Sequence, residues 1–161
     1  MIESWDSFFV AEVGAAAALL GLLFVAISIN LKPVLEAGGL PDRALGALVL
    51  LLAILLIGLL LSMPDQPPLF LGIETIGVSV VTGIAATVLA LRGLRDAAKQ
   101  YGGNFFWNVV TTIATLLPIL IGGALTFGGG EAGFYWIGIG MCLVLIKAVS
   151  EGWIFLVEIN R

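Results

Sequence analysis

Five stretches of this chain stay apolar for long enough to cross a bilayer, and the polar residues gather in the short segments between them. About 20 apolar residues in a helix cover the roughly 30 Å of hydrocarbon in a membrane. The stretches run over about 8–31, 44–63, 69–91, 105–127 and 132–157. The second has no charge inside it, and the fifth is long enough to tilt. The connections carry turn chemistry, PDQPP between spans two and three and GGGEAG between four and five. This pattern predicts an all-α, polytopic membrane helix bundle forming one transmembrane domain over residues 1–161. Span one is expected to be retained. A cleavable signal begins with basic residues and has a shorter apolar core, whereas here the chain opens with Glu3 and Asp6 and no Lys or Arg.

Composition agrees. Hydrophobic residues make up 60% of the chain and charged ones 11%, against about 25% charged in a soluble domain. The 21 glycines and four tryptophans suit close-packed helices with aromatic anchors at the interfaces. Histidine is absent, and the single cysteine, Cys142, lies in an apolar run. No disulfide or zinc site can be built from that set.

Charge changes the picture by giving the spans a direction. Lys32 and Arg43 lie in the first connection, Arg92, Arg95 and Lys99 in the third, and Arg161 at the end. In the N-terminus and the second and fourth connections the charged residues are all acidic: Glu3, Asp6, Asp65 and Glu131. The positive-inside rule then places the N-terminus outside and the C-terminus in the cytoplasm. Trp5 and Trp136 fall at the outer interface under this orientation, Trp107 and Trp153 near the inner one.

Ionisable residues within a span cost about 2.5–3.5 kcal/mol each on insertion scales and usually face the bundle interior or water. Glu12 and Glu74 both fall roughly 6–10 Å below the outer surface, from a rise of about 1.5 Å per residue. If their helices are neighbours, or repeat around an oligomer axis, the carboxylates form a pair or ring that attracts cations. The plainer reading is that each reaches up to interfacial water. Lys147 is deeper, about 20 Å into span five, with Glu151 one turn later on the same face. They read either as an ion pair that inserts together or as an inner charged site with Asn30 and Asn108, which share their depth. Span four carries Asn104, Asn108, Thr111 and Thr115 at helical spacing, and span three Thr75, Ser79 and Thr82. Such hydroxyls more often bond their own backbone or a neighbouring helix than line a pore. Pro118 is expected to kink span four. Gly14, Ala17, Ala18 and Gly21 give span one a small-residue face suited to close helix approach.

No nucleophile elbow, P-loop, HExxH or potassium-filter sequence occurs, so no catalytic, cofactor-binding or metal residues are expected. The GGG at 128–130 has no strand before it and reads as a turn. The segment RGLRDAAKQ is short and basic, adequate to meet anionic head groups.

The opening WDSFF followed by GAAAALLGLLFVAISINL resembles the start of a group of small bacterial multi-span inner-membrane proteins, some described as modulators of a membrane-bound protease. The resemblance covers chiefly span one. It implies a bacterial inner-membrane setting and assigns a role to no residue.

Two function classes fit these features. One is a homo-oligomeric cation channel or simple transporter, with Glu12 and Glu74 attracting the ion and Lys147–Glu151 forming an inner constriction. The other is a non-conducting accessory subunit that binds another membrane protein through span one. Beyond the lipid bilayer, the expected partners are further copies of the chain or that second membrane protein; no nucleic acid is expected.

Overall fold

A computed structural model describes residues 3–36, 39–97, 104–129 and 131–159. Lys99 and Arg161 of the basic set lie outside the described residues, and for Glu3, Arg95, Asn104 and Glu158 only the backbone is described. The fold is all-α: α1 Glu3–Ile29, α2 Leu31–Glu36, α3 Leu40–Leu61, α4 Pro68–Ala97, α5 Asn104–Thr126 and α6 Ala132–Ile159. Five of the six are long and apolar enough to span a membrane, which makes this an integral, multi-pass membrane protein.

The helix ends follow local chemistry. At the start of α3, Gly39 takes the left-handed conformation (φ 82°), and a proline follows in the first turn. Pro41 loses nothing there, because first-turn N–H groups have no helical acceptor. Its position explains why α3 begins at Leu40, four residues before the apolar stretch itself. Asp65 makes the turn before α4 with φ 57°, a conformation Asp tolerates better than most residues. Two elements differ from expectation. The short α2 was hidden by Pro33, which the helix accommodates in its first turn while Val34 is buried in the core. And α4 runs past the expected 91 to Ala97. Nothing in Arg92–Ala97 breaks a helix except Gly93, so the helix continues beyond its apolar stretch.

The helices α3, α4, α5 and α6 form a four-membered bundle in which each packs on the next, and α3 closes against α6. The remaining span, α1, leans on α3 and more lightly on α6. Burial follows from this plan. In its most apolar stretch α3 has 56% of residues buried, whereas α1 has 17%. Leu50, Ile54, Ile57 and Leu61 fill the middle of the bundle from α3, met by Ile119, Ile137 and Val144. The bundle interior is therefore packed with aliphatic side chains.

Glycines set the close approaches between the last three spans. A Cβ at Gly72 would lie 2.5 Å from the Gly123 carbonyl, and one at Gly122 would lie 2.6 Å from the Gly133 carbonyl. These contacts draw the first turns of α4 and α6 onto the last turns of α5. Pro118 packs at Gly140, where the absent side chain leaves room for it. The described helix passes through Pro118 without interruption.

Candidate functional site

Six residues were singled out by sequence, and the structure divides five of them among three separate places and leaves Asn30 apart from all three. Lys147 on α6 is the centre of the first. Its Nζ donates to Asn108 Oδ1 at 3.0 Å and Thr111 Oγ1 at 3.0 Å, both on α5, and pairs with Glu151 Oε1 at 2.6 Å. An ammonium has three donors, and all three are used. One acceptor is itself fixed: Thr111 Oγ1 donates to the Asn108 main-chain carbonyl at 2.9 Å, which also accepts from Thr112 Oγ1 at 2.9 Å. Side-chain exposure is 9% for Lys147 and 16% for Glu151. This arrangement neutralises a charge within a span by saturating it, and it fastens α5 to α6 away from the glycine contacts. Thr111 belongs to the cluster although sequence placed it only in a polar stripe. Its position three residues after Asn108 was the available signal.

Asn30 does not join that cluster. Its Nδ2 donates to the Ala26 carbonyl of its own helix at 2.9 Å, satisfying a terminal acceptor of α1. Shared depth had grouped it with Lys147, but depth carries no information about direction around the bundle.

Glu74 forms the second place. It is half-buried near the start of α4 and its Oε2 accepts from Gln66 Nε2 at 2.8 Å. Gln66 lies in the connection that sequence read only as a turn.

Glu12 forms the third. It is 8% exposed on the face of α1 turned to α6. Cys142 Sγ donates to its Oε1 at 3.1 Å. Its Oε2 is buried with no hydrogen-bond partner among the described residues. Trp5, Phe8, Phe9, Phe134 and Tyr135 pack ring against ring between the outer ends of α1 and α6, with Trp5 meeting Tyr135 edge-on at 4.6 Å between centroids. Gly138, one turn before Cys142, lies under Phe8 and Trp5. From sequence Cys142 was read only as a lone cysteine in an apolar run that makes no disulfide or zinc site, and no spacing rule pairs residues 130 positions apart.

Within one chain the described partners of Glu12 and Glu74 differ, Cys142 for the first and Gln66 for the second, and α1 and α4 each pack mainly on α3. Any ring containing both requires more than one copy.

Most span hydroxyls turn to their own helix. Ser79 donates to the Thr75 carbonyl at 2.7 Å, Thr87 to Gly83 at 2.7 Å, Thr115 to Thr112 at 2.9 Å and Thr126 to Gly123 at 2.6 Å. A groove of about 350 Å³ between α4 and α5 includes Ser79 and Thr87, but those bonds leave its wall apolar, with Ile84, Ile113, Leu116 and Leu120. Among the described residues no three Cys, Asp or Glu side chains gather as a metal site. Compared with known protein families, curated proteins and solved structures, the chain matches none.

Proposed function

We propose that this protein is a homo-oligomeric cation channel or simple transporter of a bacterial inner membrane, with its N-terminus outside. The observation that carries the reading is the Glu12 carboxyl, buried within a span with one oxygen bonded and the other bare. Such a group is costly in a membrane unless it serves an exchangeable partner. The interior of a single bundle is filled by α3, so a path for the solute runs between copies or along the α1–α6 seam. Lys147, its donors saturated, clamps the bundle in this reading and does not gate it. Glu74, with a polar partner and partial exposure, acts at the mouth by raising local cation concentration.

The test is cation and proton flux into liposomes holding the purified protein. Glu12→Gln is expected to reduce flux to the level of empty liposomes, and Glu74→Gln to lower it by a smaller factor. Unaltered flux in both variants removes the site.

A second reading, the accessory subunit, is favoured by a different observation. Gly14, Ala17, Ala18 and Gly21 all lie exposed on α1, and a Cβ at Gly14 or Gly21 would meet nothing within 4 Å. Leucine at either position fits the isolated chain without clash. Under this reading Gly14→Leu and Gly21→Leu keep the fold, by circular dichroism, and lose the partner in cross-linking from intact membranes. Partner retention in both variants, or flux from the purified protein alone, counts against it.

A further inference from the structure

The groove between α4 and α5 has a definite length and a charged end. On α4 it runs from Ser79 to Val88, roughly 14 Å at about 1.5 Å per residue, and on α5 from Leu120 back to Ile113. That is close to half of a roughly 30 Å hydrocarbon core, the depth of one leaflet. Arg92 lies one turn past Val88 on the same helix, at the very end of the span. The groove therefore occupies the leaflet on the Arg92 side and stops about 6 Å short of that residue along the helix.

Its floor is made by small residues. Ser79, Gly83 and Thr87 follow at four-residue spacing and lower the ridge that larger side chains on this row would build. A Cβ at Gly83 would meet Leu116 Cδ1 at 3.4 Å, an ordinary contact with a side-chain end. At Gly72 and Gly122 a Cβ would strike backbone, so those glycines close a joint, whereas Gly83 keeps a furrow open. The Ser79 and Thr87 hydroxyls are spent on the carbonyls of Thr75 and Gly83, so the wall asks for an apolar occupant. Val80, Ile84, Ile113 and Leu117 stand exposed along the rim.

Width and charge then select that occupant. About 350 Å³ spread over this length makes a channel roughly half as wide as a helix with its side chains, about 10–12 Å. A helix of another chain bridges such a furrow; an alkyl chain fills it. Arg92 is exposed beside its end, and a guanidinium is permanently charged, with a planar fork that matches phosphate oxygens. We infer that this groove and Arg92 form a site for one anionic phospholipid, an acyl chain lying along α4 and α5 and the phosphate meeting Arg92. Basic pockets between spans hold acidic head groups in the same way. The site stands apart from the conduction reading and from the accessory-subunit reading, since neither uses this face.

The experiment mixes the purified protein in detergent micelles with equal amounts of phosphatidylglycerol and phosphatidylcholine carrying the same acyl chains. Native mass spectrometry counts the lipids that stay bound. The expected result is retention of phosphatidylglycerol over phosphatidylcholine, at one lipid per chain. Arg92→Gln is expected to lower that preference about tenfold, the loss of one charge-assisted contact. Gly83→Leu fills the floor, leaves every charge in place and is expected to lose the bound lipid of either kind. Ile84→Trp closes the groove from its exposed rim and replaces Gly83→Leu if circular dichroism shows that variant unfolded. Equal retention of the two lipids by wild type, or an undiminished preference in Arg92→Gln, overturns the inference. Undiminished retention in the groove-filling variant overturns it as well, because attraction to the basic segment alone then suffices. Lipid-free dimers that the groove-filling variant separates would make this face a contact between copies and overturn it too.

Discussion

Lys147→Met is expected to destabilise the protein by about 3–5 kcal/mol, the range found when one partner of a buried ion pair is removed. The cost has three sources. Glu151 Oε1 loses the ammonium 2.6 Å away, and Asn108 Oδ1 and Thr111 Oγ1 lose the donor they share. Methionine fills most of the vacated volume, so little of the loss is cavity. Removing the second charge as well, in Lys147→Met with Glu151→Leu, is expected to recover most of it, because an apolar pair of similar size is often no less stable than a buried ion pair. Equilibrium unfolding in mixed micelles of rising SDS fraction measures both. If the single variant loses under about 1 kcal/mol, the saturated ammonium is not what fastens α5 to α6. If the double variant falls as far as the single one, the loss comes from packing and not from an orphaned charge.

The same cluster shows what the sequence could supply. Lys147 and Glu151 are four apart on one helix, a separation that sequence alone turns into a contact. The partnership with Asn108 was half legible, since both residues had to lie toward the same end of the membrane. The failure of Asn30 shows why only half. Residues at one depth share a plane, and the order of helices within that plane decides which of them touch. No alternation or composition signal encodes that order here, because all five spans are apolar around most of their circumference. The spans themselves were legible for the converse reason: solvation by hydrocarbon is a one-dimensional constraint that the chain must meet residue by residue. Glu12 and Glu74 repeat the lesson, alike in depth and separated by α3. Cys142 was legible as part of an apolar run but not as a donor, since its role depends on a facing carboxylate that only the α1–α6 contact supplies.

Gly122→Ala is expected to cost about 1–3 kcal/mol or more, the usual penalty for forcing extra atoms into a packed contact. The added methyl would lie 2.6 Å from the Gly133 carbonyl and 2.7 Å from the Ile137 amide. Those are backbone atoms of α6, so no rotamer change relieves the clash and the helices must part. Parting is expensive in a membrane because lipid tails are as apolar as the interface, leaving close packing as the main force between helices. Gly77→Ala provides the opposite sign. Nothing lies within 4 Å of its Cβ position, so the helix gains the roughly 0.5–1 kcal/mol by which alanine exceeds glycine in propensity. Unfolding of both variants under one set of micelle conditions separates packing from propensity, which a single glycine substitution cannot do. Equal effects of the two changes would mean that α5 and α6 do not approach as closely as their backbones indicate. Opposite signs would place a tight joint of the bundle at the α5–α6 turn, above the Lys147 clamp.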